Sequence, residues 1–123
     1  MDILLVDDRV DERVIMKKYL TKMYGDRCQT FEARDGLSAF QLVTEKEDFD
    51  LIITDRHMPN CDGIEFIQLL AEYDFKSPII MCTTERSKEK VKETLRLNIS
   101  DYLIKPYSYN SFKSKISESL SDI

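Results

Sequence analysis

At 123 residues, 42% hydrophobic and 33% charged, the chain is long enough to bury one real core and too short for two domains. A net charge of -5 and an isoelectric point near 4.9 exclude a general nucleic-acid binder, which needs a basic face to displace counterions. Three cysteines (Cys28, Cys61 and Cys82) form no C-x-x-C pair, and no apolar segment is long enough for a signal peptide or a membrane span; free thiols in a cytoplasmic protein are expected.

In chain order the pattern alternates strand and helix throughout. Strands are predicted near residues 2–7, 28–32, 51–55, 78–83 and 100–104, and helices near 10–24, 36–46, 63–72, 86–97 and 108–120. The first, third and fourth strands are continuous apolar runs, as expected of strands covered by helices on both faces. The second alternates polar and apolar residues and the fifth begins Ser100–Asp101, so these two are the edge candidates. Right-handed crossovers with those edges give one α/β domain over 1–123, a five-stranded parallel sheet of order 2-1-3-4-5 flanked by five helices. Ile15, Tyr19 and Met23 repeat at helical spacing, with Met16 and Leu20 beside them, and Phe112, Ile116 and Leu120 repeat in the last helix. Both stripes read as core. Asn98 stands where a left-handed cap would end the fourth helix, and Gly63 opens the third.

Four of the apolar runs end on polar residues: Asp7 and Asp8 after the first, Asp55 after the third, Thr83 after the fourth, Lys105 after the fifth. In an open parallel sheet the carboxyl ends of the strands line one rim, and ligands bind where the strand order reverses, here between strands one and three. Carboxylates crowded there repel, and a hard divalent cation with oxygen ligands relieves them. Mg2+ keeps several waters and needs few protein ligands, so two carboxylates and a backbone carbonyl suffice. Taken singly, Asp7–Asp8 reads as a solvated turn, Lys105 as a surface lysine, and Thr83 as a β-favouring residue with Thr84 beside it. Asp55 is weighed equally between a capping aspartate and a nucleophile that forms an aspartyl phosphate. A lysine about 4 Å from a phosphoryl oxygen gains roughly 4 kcal/mol at an effective dielectric near 20.

Taken together, LLVDDR (Leu4–Arg9), DLIITDRHMPNCDG (Asp50–Gly63), SPIIMCTTE (Ser77–Glu85) and DYLIKPY (Asp101–Tyr107) resemble the receiver domain of two-component response regulators, chemotaxis regulators among them, over essentially the whole chain. The resemblance implies a flavodoxin-like fold. It implies that Asp55 accepts a phosphoryl group from a phosphohistidine of a sensor histidine kinase or phosphotransfer protein. Asp7, Asp8, Asp55 and the backbone carbonyl of His57 would hold Mg2+. Lys105 would contact the phosphoryl group and Thr83 would bond one of its oxygens. Tyr102 would turn inward as Thr83 moves, and the Lys105–Pro106 bond would be cis. The output to a downstream protein would lie on helix four, strand five and helix five, a face carrying Lys88, Lys92, Arg96, Asp101, Tyr102, Lys113 and Glu118. Such a protein is not an enzyme on a separate substrate; it catalyses only its own phosphotransfer and dephosphorylation. No nucleic-acid or membrane contact is expected of this domain, and it is expected to be a monomer or weak dimer.

Two positions depart from the commonest pattern. Arg56 stands where many members carry an apolar residue, and His57, the only histidine, follows it. From their spacing to Asp55 and Thr83, His57 and Glu85 are expected to tune hydrolysis. Other readings fit parts of the same sequence. One is a receiver fragment of a larger regulator with a DNA-binding or enzymatic output domain. A phosphatase on a similar sheet would want D-x-D where Asp7-Asp8-Arg9 stands. A flavin module would want a phosphate-cradling loop where two carboxylates stand. A degenerate receiver acting only by protein contact would lack part of the acidic set.

Overall fold

The computed structural model describes residues 1–121. Its elements run β1 (Asp2–Val6), α1 (Val10–Tyr24), a single 3-10 turn (Gly25–Arg27), β2 (Gln29–Ala33), α2 (Gly36–Lys46), β3 (Leu51–Asp55), α3 (Gly63–Glu72), β4 (Ile79–Thr83), α4 (Lys88–Leu95), β5 (Asp101–Ile104) and α5 (Tyr109–Leu120). All pairings are parallel and the order is β2-β1-β3-β4-β5, as the apolar runs predict. Ile3 lies opposite Leu51, Ile52 opposite Ile79 and Ile80 opposite Asp101, so the strand ends fall along one rim.

Strand alternation divides the core into two layers. Leu4, Val6, Ile52 and Met81 point to one face, where Ala39 and Val43 of α2 and Phe66, Ile67 and Leu70 of α3 cover them. Ile3, Leu5, Leu51, Ile53 and Ile80 point to the other, beneath Met16 and Leu20 of α1 and Phe112 and Ile116 of α5. Burial of each such side chain is worth about 1.5–3 kcal/mol. In α1 the buried line runs through Met16 and Leu20. Ile15, expected in the core stripe, is 40% exposed, and Tyr19 and Met23 sit at its margin.

Helix termini follow side-chain chemistry. Asp35 caps α2 by accepting from Ser38 N–H, and Asp62 and Glu65 form a reciprocal capping box on α3. Ser87 caps α4 from Lys90 N–H, which moves the start of this helix two residues beyond the expected one. Its end also differs. The helix stops at Leu95, Arg96 keeps right-handed geometry, and Leu97 closes a tight turn onto the Thr94 carbonyl. Asn98 is therefore not a left-handed cap; among the described residues the non-glycine positions with positive φ are Glu47, Asn60 and Asp74. At the β5 edge, Tyr102 N–H is satisfied by the Asp101 carboxylate, which Lys115 of α5 also holds at 3.0 Å. That closure blunts an otherwise open strand edge. The Lys105–Pro106 peptide is cis, as expected. No described helix is long and apolar enough to cross a membrane.

Candidate functional site

The rim between β1 and β3 gathers the acidic set. Asp7, Asp8 and Asp55 each bring a carboxylate oxygen within 4.8 Å of the others. Asp7 is the most constrained of the three. Its N–H donates to the Ala33 carbonyl at 3.1 Å, and its Oδ1 accepts from Arg9 N–H at 2.9 Å. Its carbonyl accepts from the guanidinium of Arg13, which also pairs with Glu32 of β2 at 2.9 Å. Asp7 is 1% exposed while Asp8 is open to solvent, so one carboxylate is built into the wall and the other faces the cleft. Lys105 comes in from the end of β5. Its Nζ lies 3.1 Å from Asp7 Oδ2 and 3.0 Å from Asp55 Oδ1.

Asp55 is the last residue of β3, and close packing behind it fixes its loop. Gly63 N–H donates to the Arg56 carbonyl at 2.8 Å, and a Cβ at Gly63 would strike the Asp55 carbonyl. Only glycine lets α3 begin this close to the phosphoacceptor candidate. The loop is also held from α2. Asp35, 5% exposed, accepts from Asn60 Nδ2 at 3.2 Å, and a Cβ at Gly36 would meet the Cys61 sulfur at 2.5 Å.

Lys105 is the cation in direct contact with the acidic set. Burial pushes the Asp55 carboxyl above its usual range; the Lys105 ammonium opposes that shift and the Asp7 carboxylate adds to it. Burial alone would lower Lys105, but Asp55 and Asp7 outweigh it and hold the ammonium above the ordinary lysine range. Three carboxylates against one ammonium leave a net negative pocket made of hard oxygen donors. That donor set fits a Mg2+-like cation rather than a thiophilic one. Beneath the rim, burial pushes the Cys82 thiol up to about 12, so it stays protonated and inert.

The mouth is a cleft of about 480 Å³ lined by Asp8, Arg9, Glu12, Asp55, His57, Thr84, Lys105 and Pro106. Thr83, expected in the cleft, ends β4 on the same rim, but its side chain is 2% exposed and its hydroxyl accepts from Glu85 N–H at 3.0 Å. Thr84 lines the cleft in its place. His57 is exposed at the mouth. The Glu85 carboxylate turns away to accept from Ser87 N–H at 3.0 Å, at the start of α4. Tyr102 is half-buried on the β5 edge, with Lys115 Nζ 5.3 Å from its ring centre. Of the residues named for output on α4, β5 and α5, Lys88, Lys92, Arg96, Lys113 and Glu118 are exposed.

Sequence reasoning passed over Arg13, Glu12 and Asp35. A signal existed for each: Arg13 and Glu12 lie about one helical turn beyond Asp7–Asp8, and Asp35 precedes Gly36 at a helix start. None lies at the end of an apolar run.

The model of the response regulator receiver domain family matches residues 3–117. The chain belongs to this family. It is 36% identical over 122 residues to the chemotaxis protein CheY homolog of Campylobacter jejuni, covering 98% of this chain and 92% of that one. The solved structure of the chemotaxis response regulator CheY4 of Vibrio cholerae superposes with a TM-score of 0.83 at 31% identity, covering 97% of this receiver and 98% of that chain. A structure described as a CheX-CheY-BeF3-Mg complex from Borrelia burgdorferi has the same fold, with a TM-score of 0.85 at 23% identity over 96% of this receiver and 87% of that chain. Receivers are signalling modules of two-component and chemotaxis systems rather than enzymes acting on a separate substrate, and the acidic cleft of this one sits at the switch point of its strand order.

Proposed function

We propose that this receiver accepts a phosphoryl group on Asp55 from the phosphohistidine of a sensor kinase or phosphotransfer protein. The observation that carries this reading is the convergence of Asp7, Asp8 and Asp55 within 4.8 Å, with Lys105 bonded to two of them. An Asp55 carboxylate oxygen attacks phosphorus as the P–N bond of the donor breaks, and the electron pair of that bond stays on the imidazole nitrogen. Lys105, already placed beside Asp55, offsets charge on the transferred group. Asp7, Asp8 and Asp55, with the His57 carbonyl, would hold Mg2+, which when bound neutralises the phosphoryl oxygens during transfer. Release is hydrolysis: water attacks phosphorus, the acyl phosphate P–O bond breaks, and the Asp55 carboxylate and inorganic phosphate return. His57 at the mouth governs that step through the access it allows to water, and Glu85, with its carboxylate held by Ser87 N–H, acts on it through the loop it belongs to.

The phosphoryl group adds about 1.5 to 2 negative charges at one point of the rim. Thr83 reaches it only by giving up its bond from Glu85 N–H, which moves the segment between β4 and α4. Tyr102 then turns inward, and the α4-β5-α5 face changes for a downstream protein partner. The test is incubation with Mg2+ and acetyl phosphate followed by intact mass. One phosphoryl addition is expected, absent in Asp55→Asn and without Mg2+. An unmodified wild-type protein under these conditions would refute the reading.

A further inference from the structure

Among the residues of α4, only Thr94 is buried, at 1% exposure, and it is a threonine where an apolar anchor is usual. Its hydroxyl bonds in both directions. It donates to the Lys90 carbonyl at 2.9 Å and accepts from Arg56 Nη1 at 2.9 Å. Arg56 directly follows Asp55, and its own backbone is fixed at both groups. Its N–H donates to the Cys82 carbonyl at 3.0 Å and its carbonyl accepts from Gly63 N–H at 2.8 Å. A charge-assisted bond in a half-buried place, held by a rigid backbone, is a firm attachment.

The other end of α4 is held less firmly. Ser87 and Glu85 satisfy local N–H groups there without reaching another element. The link outward is Arg86 Nη2 to the Lys105 carbonyl, exposed and 3.3 Å long. A long exposed contact contributes little. The helix thus has one strong point at its last turn and one weak point before its first.

We propose that Arg56 is a positioning residue that pins the last turn of α4 to the phosphoacceptor loop, so that the helix answers a change at Asp55 by swinging about Thr94 instead of sliding as a body. The swing, though not the pin, rests on the phosphoacceptor reading. Its direction follows from the unequal ends: when Thr83 moves, the weak first turn yields and the Arg56–Thr94 contact stays.

Amide exchange followed by NMR separates the two parts. In the ligand-free protein, Arg56→Met and Thr94→Val each speed exchange at Leu95 and Arg96 about tenfold, the loss expected for one hydrogen bond to a charged group. The combined variant is no faster than Thr94→Val alone, because Thr94→Val already removes the one contact that Arg56→Met removes. Arg56→Lys falls between. Adding Mg2+ and beryllofluoride to wild type speeds exchange at Lys90 and Val91 and leaves Leu95 and Arg96 slow; in Arg56→Met it speeds the whole helix. Unchanged exchange at Leu95 and Arg96 in both single variants overturns the pin. A uniform rise along wild-type α4 on beryllofluoride overturns the swing. If beryllofluoride causes no change near Asp55, the phosphoacceptor reading fails, while the ligand-free comparison still decides the pin.

Discussion

The helices α3 and α4 follow adjacent strands of one rim, yet they are attached in opposite ways. α3 buries Gly63, Phe66, Ile67 and Leu70 and starts from a complete capping box. α4 buries only Thr94 and meets its neighbours through guanidinium contacts, with apolar packing resuming past its end at Leu97 and Ile99. The strand that carries Asp55 therefore runs into a helix fixed by apolar packing, and the strand that carries Thr83 runs into one hung on polar bonds. Apolar burial is costly to undo, while a polar contact is readily exchanged for water or for another partner. A site that must hold carboxylates against their mutual repulsion belongs beside the first kind of helix. A response that must travel to a distant face belongs beside the second.

The largest effect that would break this contrast lies in the packing. Phe66 is 0% exposed and Leu95 is 47% exposed. Phe66→Ala is expected to cost about 3–5 kcal/mol in urea unfolding, and Leu95→Ala to stay within about 0.5 kcal/mol. Similar losses from the two would mean that α4 is as deeply anchored as α3.

A smaller effect sharpens it. Asp62→Ala and Ser87→Ala each remove an N-cap side chain, worth about 1 kcal/mol. Because α3 is part of the core, Asp62→Ala is expected to lower the global unfolding midpoint. Ser87→Ala is expected to leave the midpoint nearly in place and to appear as faster exchange at Lys90 and Val91 alone. A midpoint drop for Ser87→Ala as large as that for Asp62→Ala would contradict the view of α4 as a locally opening unit.

The same contrast explains what could be read from the chain. β1, β3 and β4 were legible as unbroken apolar runs, and the strand order followed from the polar character of the two edges. α3 was placed on its residues, with Gly63 at its opening. α4 was read too long at both ends, since Arg86, Arg96 and Leu97 suit a helix by propensity and the Ser87 cap and the turn onto Thr94 decide otherwise. Asp7, Asp8, Asp55 and Lys105 were legible because strand ends of a parallel sheet share a rim. The inward turn of Thr83, with Thr84 taking the cleft, depends on a bond from Glu85 N–H that no spacing announces. The pin at Thr94 was out of reach for the same reason: a lone threonine in a charged helix carries no periodic signal.

The smallest expected effect concerns pH and sets Asp55 against Asp35, two aspartates that hold opposite ends of one loop system. Ser38 N–H, with Asn60 adding, keeps Asp35 below the usual carboxylate range, so Asp35 stabilises the fold at neutral pH and loses that contribution as pH falls through its depressed folded value. Asp55 runs the other way. Its folded value lies above the usual range, so the folded protein takes up its proton before the unfolded chain does, and the ionised group weighs against the fold at neutral pH. Without Mg2+, Asp55→Asn is therefore expected to be more stable than wild type near pH 7, with the difference shrinking as pH falls into the carboxylate range near 4. Asp35→Asn is expected to be less stable near pH 7, with its deficit shrinking over lower pH. Adding Mg2+ should raise wild-type stability and narrow the gap to Asp55→Asn, because only the intact acidic set gains from a bound cation. Urea midpoints of the three proteins across that range, with and without Mg2+, test both signs. An Asp55→Asn protein less stable than wild type at neutral pH without Mg2+ would show that the Lys105 pair outweighs burial and repulsion by Asp7, and that the acidic rim is not strained after all.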